Sequence, residues 1–138
     1  MISAELYEDF VVPYISRLGD KMGSVRLHSC GISDHLIEAI SHIRNLSIID
    51  TGSGTSIGRI RKLMGPDIVV HVAPPMEMMM EGAPLSKILD WLDRTLDENK
   101  GGPLQIAYHL EPDYNLSNCL AIHDELERRG LVTNSRIY

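Results

Sequence analysis

Residues 24–50 read SVRLHSCGISDHLIEAISHIRNLSIID, and they decide the fold. Ser24 to His28 is a strand-like run that ends in Ser29-Cys30-Gly31. Ser33 is a good N-cap for the helix that follows, which carries Leu36, Ile37, Ile40 and Ile43 on one face. Leu46-Ser47-Ile48-Ile49-Asp50 is a second strand. Strand, helix and strand in about this span are the βαβ unit of a parallel sheet.

The same alternation continues on both sides. Before it, Leu6, Phe10, Tyr14, Leu18 and Met22 form an apolar stripe at helical spacing. Pro13 interrupts it, which predicts a short helix and then a second with Pro13 in its first turn. After it comes the turn Thr51 to Thr55, with Thr55 as the expected cap of a helix using Ile57, Ile60, Leu63 and Met64 and stopping at Gly65-Pro66. Ile68 to Val72 is nearly all β-branched, as in a strand buried on both faces. Past Pro74-Pro75 and a methionine-rich turn, a long helix is expected from Pro84 to about Asn99, with Leu85, Ile88, Leu89, Leu92 and Leu96 inward. The fourth strand is Leu104 to Tyr108, and the last helix starts near Asn115 and ends by Gly130. The expectation is one α/β domain over residues 1–138, with about four βα units and a parallel sheet.

Length and charge remove several function classes. The 138 residues suit a single domain, whereas an eight-stranded α/β barrel takes about 200 or more. A formal charge of −6 argues against broad binding to nucleic-acid backbones. No apolar run is long enough to span a membrane, and MISAELYEDF lacks the basic start and apolar run of a signal peptide. The two cysteines, Cys30 and Cys119, are too few for a disulfide framework and fit a cytoplasmic location.

Right-handed crossovers put all strand C-termini on one rim, where ligands bind in α/β folds. His28, Cys30, Asp50 and His109 fall at or just past those ends. His28-x-Cys30 sets an imidazole and a thiolate two residues apart on a bend, a mixed pair that zinc accepts. Two ligands do not hold zinc alone. His109 is the first candidate for the third, and Cys119, with His123 one turn on, is the second. Asp50 either serves the site or caps its own turn. Gly52-Ser53-Gly54-Thr55-Ser56 lacks the lysine of a P-loop and reads as an ordinary turn. Met76, Met79 and Met80 read as adaptable packing, and His71 as a hydrogen-bonded core histidine.

These residues carry a resemblance. The helix with Pro13, the strand ending Leu27-His28-Ser29-Cys30-Gly31, Asp50, the turn Gly82-Ala83-Pro84, and His109-x-x-Pro112-Asp113 leading to Asn118 are similar to the C-terminal half of the uroporphyrinogen decarboxylase-like superfamily. The resemblance covers nearly the whole chain and implies half of that family's eight-stranded (β/α)8 barrel of TIM type. It is closer to the branch of zinc-dependent methyltransferases that move a methyl group between a corrinoid protein and a thiol, as in methylcobamide:coenzyme M methyltransferases. In that branch H-x-C and a distant cysteine hold zinc. Here His28 and Cys30 match the pair, and the distant position falls at or next to His109. The decarboxylases carry a Gly-His-Gly turn there; this chain has Tyr108-His109-Leu110.

The resemblance therefore implies zinc on His28, Cys30 and His109, with Asp50 orienting a ligand or the substrate. It also implies a small thiol or methylated substrate and a corrinoid carried by a partner protein. The corrinoid-binding motif D-x-H-x-x-G is absent, and Asp34-His35 are merely adjacent. Four strands with two open edges suggest a homodimer or a partner half-barrel, and little turnover from this half alone. Two rival functions are a decarboxylase-type enzyme fragment and a non-catalytic α/β binding module.

Overall fold

The computed structural model describes residues 2–132. Its elements are α1 (Ala4–Phe10), α2 (Val12–Met22), β1 (Val25–Ser29), a 3-10 turn (Asp34–Leu36), α3 (Ile37–Ser41), β2 (Leu46–Thr51), α4 (Ile57–Met64), β3 (Val69–Val72), α5 (Met76–Met79), α6 (Leu85–Asn99), β4 (Leu104–Ile106) and α7 (Leu116–Arg128). The strands form one sheet in the order β1-β2-β3-β4, every pair parallel. The protein is thus α/β, with a parallel sheet alternating with helices as the sequence predicts. Among the described residues no helix is long and apolar enough to cross a membrane.

The chain groups into two compact units. One holds all four strands and runs to Ala73, with Thr95–Ala107 added. The other holds Pro74–Arg94 and the described residues from Tyr108 onward.

In the first unit the sheet's two faces differ. Leu27, Ile49, Val70 and Leu104 stand side by side in register, as do Val72 and Ile106 in the next layer. Ile49 and Val70 on that face are buried, as are Ile37, Ile40 and Ile60 of α3 and α4. Each such side chain contributes roughly 1.5–3 kcal/mol of transfer free energy. β3 is buried on one face only, Val70 and Val72 being buried while Val69 and His71 are intermediate. On this alternate face His28, Asp50, His71 and Gln105 are register partners across the four strands.

Several expectations change. The break at Val11 and the placing of Pro13 in the first turn of α2 agree with the sequence. However, Leu6, Phe10, Tyr14, Leu18 and Met22 are exposed. The buried residues of α2 are Val12, Ser16 and Gly19. Ser16 Oγ accepts the Arg44 amide at 3.1 Å, and a Cβ on Gly19 would lie 2.6 Å from the Arg44 carbonyl oxygen. Small residues let the helix ride against that backbone, which turns the bulky stripe outward.

Ser33 makes no capping bond; its Oγ lies 2.6 Å from Ser29 Oγ instead. Ser56, not Thr55, caps α4, accepting from Arg59 N at 3.2 Å. Leu63, Leu85, Met76 and Met80 are exposed, while Met79 is buried. β4 ends at Ile106, so Tyr108 and His109 lie beyond it, although Ala107 N still donates to Val72 O at 3.1 Å.

Arg61 takes the inward place on α4 that Leu63 does not fill. Its guanidinium is buried and has no carboxylate partner among the described residues. It donates to Asn99 Oδ1 at 2.6 and 2.9 Å, Ile68 O at 2.6 Å and Pro103 O at 2.7 Å. Burial pulls its pKa below the usual arginine value.

The second unit is closed by α7. Asn115 caps it, accepting from Ser117 N at 3.0 Å and Asn118 N at 3.3 Å. Asn118 Nδ2 then donates to Ala83 O at 2.9 Å and Met78 O at 3.2 Å, holding the α5–α6 turn.

Candidate metal centre

The site begins where β1 and β2 end. His28 is the penultimate residue of β1 and is in register with Asp50 of β2. Parallel partners project to the same face, so imidazole and carboxylate meet without any loop. His28 Nδ1 lies 2.9 Å from Asp50 Oδ2. Past Ser29 the chain turns, Gly31 adopting φ +78°, and brings Cys30 back over the strand. His28 Nε2 and Cys30 Sγ are 2.8 Å apart. Carboxylate, imidazole and thiol thus form one line, Asp50–His28–Cys30.

The Cys30 bend is braced from beneath. Thr55 Oγ1 donates to Gly31 O at 3.1 Å and accepts from Ser33 N at 3.0 Å. Gly52 N donates to Ser29 O at 3.1 Å. A Cβ on Gly52 would sit 2.5 Å from Gly31 N, in the backbone of the bend itself. Gly52→Ala is therefore expected to push residues 29–31 off β2, costing about 1–3 kcal/mol in chemical denaturation.

Two more residues join the row, and sequence reasoning placed neither in the site. Arg26 Nη2 donates to Asp50 Oδ2 at 2.5 Å and lies 2.7 Å from His71 Nδ1. His71 Nδ1 is 3.4 Å from Asp50 Oδ2. Burial raises the Asp50 pKa, but hydrogen bonds from Arg26 and His28 and the nearby imidazoles outweigh it, leaving the carboxyl below its ordinary value. Burial lowers the His71 pKa; Asp50 pulls it up, and Arg26 and His28 oppose that. A usable signal existed in the sequence. Each strand carries a polar residue amid apolar ones (His28, Asp50, His71, Gln105), and a parallel register lines these up.

The described residues therefore bring His28, Cys30 and Asp50 together. His109 belongs to the second unit, where it is exposed. Cys119, also in that unit, is 2% exposed; burial raises its thiol pKa, and its carbonyl accepts from Tyr108 Oη at 2.5 Å. His123, one turn on, is exposed and lies 3.9 Å from Asp124. Among the described residues no group of three or more His, Cys, Asp or Glu is arranged to hold a metal ion. The two thiols differ in access, Cys30 being exposed and Cys119 buried. In the folded chain iodoacetamide is expected to label Cys30 alone, with Cys119 labelled only in denaturant, as read by peptide mass spectrometry.

Two donors of the kinds zinc takes, an imidazole nitrogen and a thiol, nevertheless converge at His28 and Cys30. Zn–N near 2.0–2.1 Å and Zn–S near 2.3 Å in a tetrahedral site set the two donors about 3.5 Å apart. His28 Nε2 and Cys30 Sγ converge within 2.8 Å, and a change of under about 1 Å opens them to that separation. Asp50 on the far imidazole nitrogen is the outer-shell carboxylate that metal-bound histidines usually carry. A scan against protein-family models found no match for this chain, and a search of curated proteins found none either.

Proposed function

We propose that the chain carries the metal-binding half of a zinc-dependent methyltransferase site, which passes a methyl group between a corrinoid held by a partner protein and a small thiol. The observation that carries this reading is the convergence of His28 Nε2 and Cys30 Sγ at 2.8 Å, with Asp50 behind the imidazole. His28 and Cys30 would supply two of the zinc ligands. Zinc, when bound, supplies an open position at which an incoming thiol is deprotonated near neutral pH. Asp50 holds the Nδ1 side of His28, so that Nε2 presents its lone pair to the ion. The test is zinc titration of the purified chain against a chromogenic chelator. About one zinc per active unit supports the reading, and failure to retain zinc contradicts it. Asp50→Asn is expected to weaken zinc binding by about 10–100-fold in the same titration, the usual size of an outer-shell effect.

The sheet supports the same reading at coarser scale. Four parallel strands in sequential order leave β1 and β4 as edges, the arrangement of four consecutive strands in a (β/α)8 barrel. We read the sheet as half of such a barrel, completed by a second copy or by a partner half-barrel. Analytical ultracentrifugation tests the first alternative: a dimer supports it and a strict monomer excludes it.

The N···S distance favours a second reading. At 2.8 Å the contact is shorter than a shared zinc allows and suits a direct hydrogen bond. Without metal, Cys30 is then a nucleophile, His28 its base and Asp50 the orienting group. Zinc protection separates the two readings. Slower alkylation of Cys30 in the presence of zinc supports the metal site, and an unchanged rate supports the metal-free nucleophile.

A further inference from the structure

The row on β1–β3 contains a constraint that the zinc reading does not use. A guanidinium can only donate hydrogen bonds. Arg26 Nη2 lies 2.5 Å from Asp50 Oδ2 and 2.7 Å from His71 Nδ1, so both atoms accept from it. An accepting Nδ1 means that His71 is neutral and carries its proton on Nε2. His71 therefore cannot donate to Asp50, and the 3.4 Å separation between them is proximity without a hydrogen bond. Asp50 Oδ2 is left with two donors, Arg26 and His28 Nδ1 at 2.9 Å. Since an ionised carboxylate only accepts, the proton of that contact sits on His28 Nδ1.

We propose that Arg26 is a positioning residue that locks the two histidines of the row into opposite tautomers: His28 as Nδ1–H with its Nε2 lone pair toward Cys30, and His71 as Nε2–H. Arg26 touches neither the thiol nor a reacting atom. It acts by holding Asp50 with one hydrogen of Nη2 and His71 with the other, so that the carboxylate cannot swing away from His28. His71 completes the lock by giving the guanidinium its second acceptor. The groups facing this cluster from the three strands are Arg26 and His28 on β1, Asp50 on β2 and His71 on β3. The consequence for metal binding rests on the zinc reading above, whereas the tautomers do not.

Long-range proton–nitrogen correlation spectra of the metal-free, nitrogen-15-labelled chain read the tautomers directly. A pH of about 8 keeps ordinary imidazoles neutral. Single His→Gln variants at positions 28 and 71 assign the signals. The expected result is a protonated Nδ1 with a bare Nε2 for His28 and the reverse for His71. Arg26→Met should collapse both patterns toward tautomer mixtures. Asp50→Asn should release His28 and leave His71 unchanged, because Arg26 still donates to it. Arg26→Lys, which keeps a cation with several N–H groups, should restore the His28 pattern at least in part. Circular dichroism confirms folding of each variant; should Arg26→Met not fold, the native spectrum and Asp50→Asn decide. The same tautomer for both histidines in the native chain, or patterns unmoved in a folded Arg26→Met variant, would overturn the proposal. Zinc affinity is a separate readout: if the native chain binds zinc, Arg26→Met should lower affinity by about tenfold. A chain that binds no zinc but shows the two tautomers refutes the methyltransferase reading and keeps the lock.

Discussion

His28→Ala and Cys30→Ser are each expected to abolish stoichiometric zinc binding while leaving the fold intact. Both side chains are exposed, so removing either leaves no cavity. Their backbone positions are held by other groups. β1 is paired along its length with β2, and the Cys30 bend is braced by Thr55 and Gly52. Loss of an outer-shell partner already costs about 10–100-fold in metal affinity, so loss of a ligand should cost at least about a hundredfold. Serine keeps the size of Cys30 but replaces a soft thiolate by a hydroxyl that stays protonated at neutral pH. Chelator competition reads the affinity, and thermal unfolding should place both metal-free variants within about 0.5 kcal/mol of the metal-free native chain, as for surface substitutions. A variant that folds and binds zinc as tightly as the native chain would remove that residue from the ligand set.

Arg61→Leu is expected to give the largest loss of stability. The guanidinium, on α4, supplies donors to Asn99 Oδ1 at the end of α6, Ile68 O just before β3 and Pro103 O just before β4. Leucine leaves these acceptors buried without their partner, each worth about 1–3 kcal/mol, and the total should reach about 3–5 kcal/mol. That is a large part of the 5–15 kcal/mol (about) that holds a typical domain together. Gly102 shows how closely the site is built: a Cβ there would lie 2.5 Å from Arg61 Cζ. Urea denaturation measures the loss. An Arg61→Leu midpoint equal to that of the native chain would mean that the carbonyls find other donors.

Much of this architecture was legible because its signals are local. The Pro13 break, the apolar spacing of Leu36, Ile37, Ile40 and Ile43, and the helix start near Asn115 each depend on neighbouring residues and stand in the structure as read. Orientation was harder. The stripe from Leu6 to Met22 has the spacing of a buried face, yet α2 packs on the Arg44 backbone and Asn45 Cβ, which leave room only for the small residues on its other side. Arg61 reads as a surface charge until the three acceptors from distant segments are brought around it. His71 was hidden by its neighbours: Val69, Val70 and Val72 make β3 apolar at every other position and mask the alternation of the two faces. Its place beside Asp50 follows from register, which no single strand contains. His28, Cys30 and Asp50 were legible as a set because strand ends converge on one rim in any parallel sheet.

A zinc ion shared by His28 and Cys30, as proposed, has a spectroscopic signature of its own. Zinc-edge X-ray absorption on the zinc-loaded chain reads it, since sulfur and nitrogen scatter at different distances. Zinc shared by His28 and Cys30 should show one sulfur at about 2.3 Å and nitrogen or oxygen neighbours at about 2.0–2.1 Å. The sulfur should vanish in Cys30→Ser and persist in Cys119→Ser. A shell with no sulfur, or a chain that retains no zinc to measure, would contradict it.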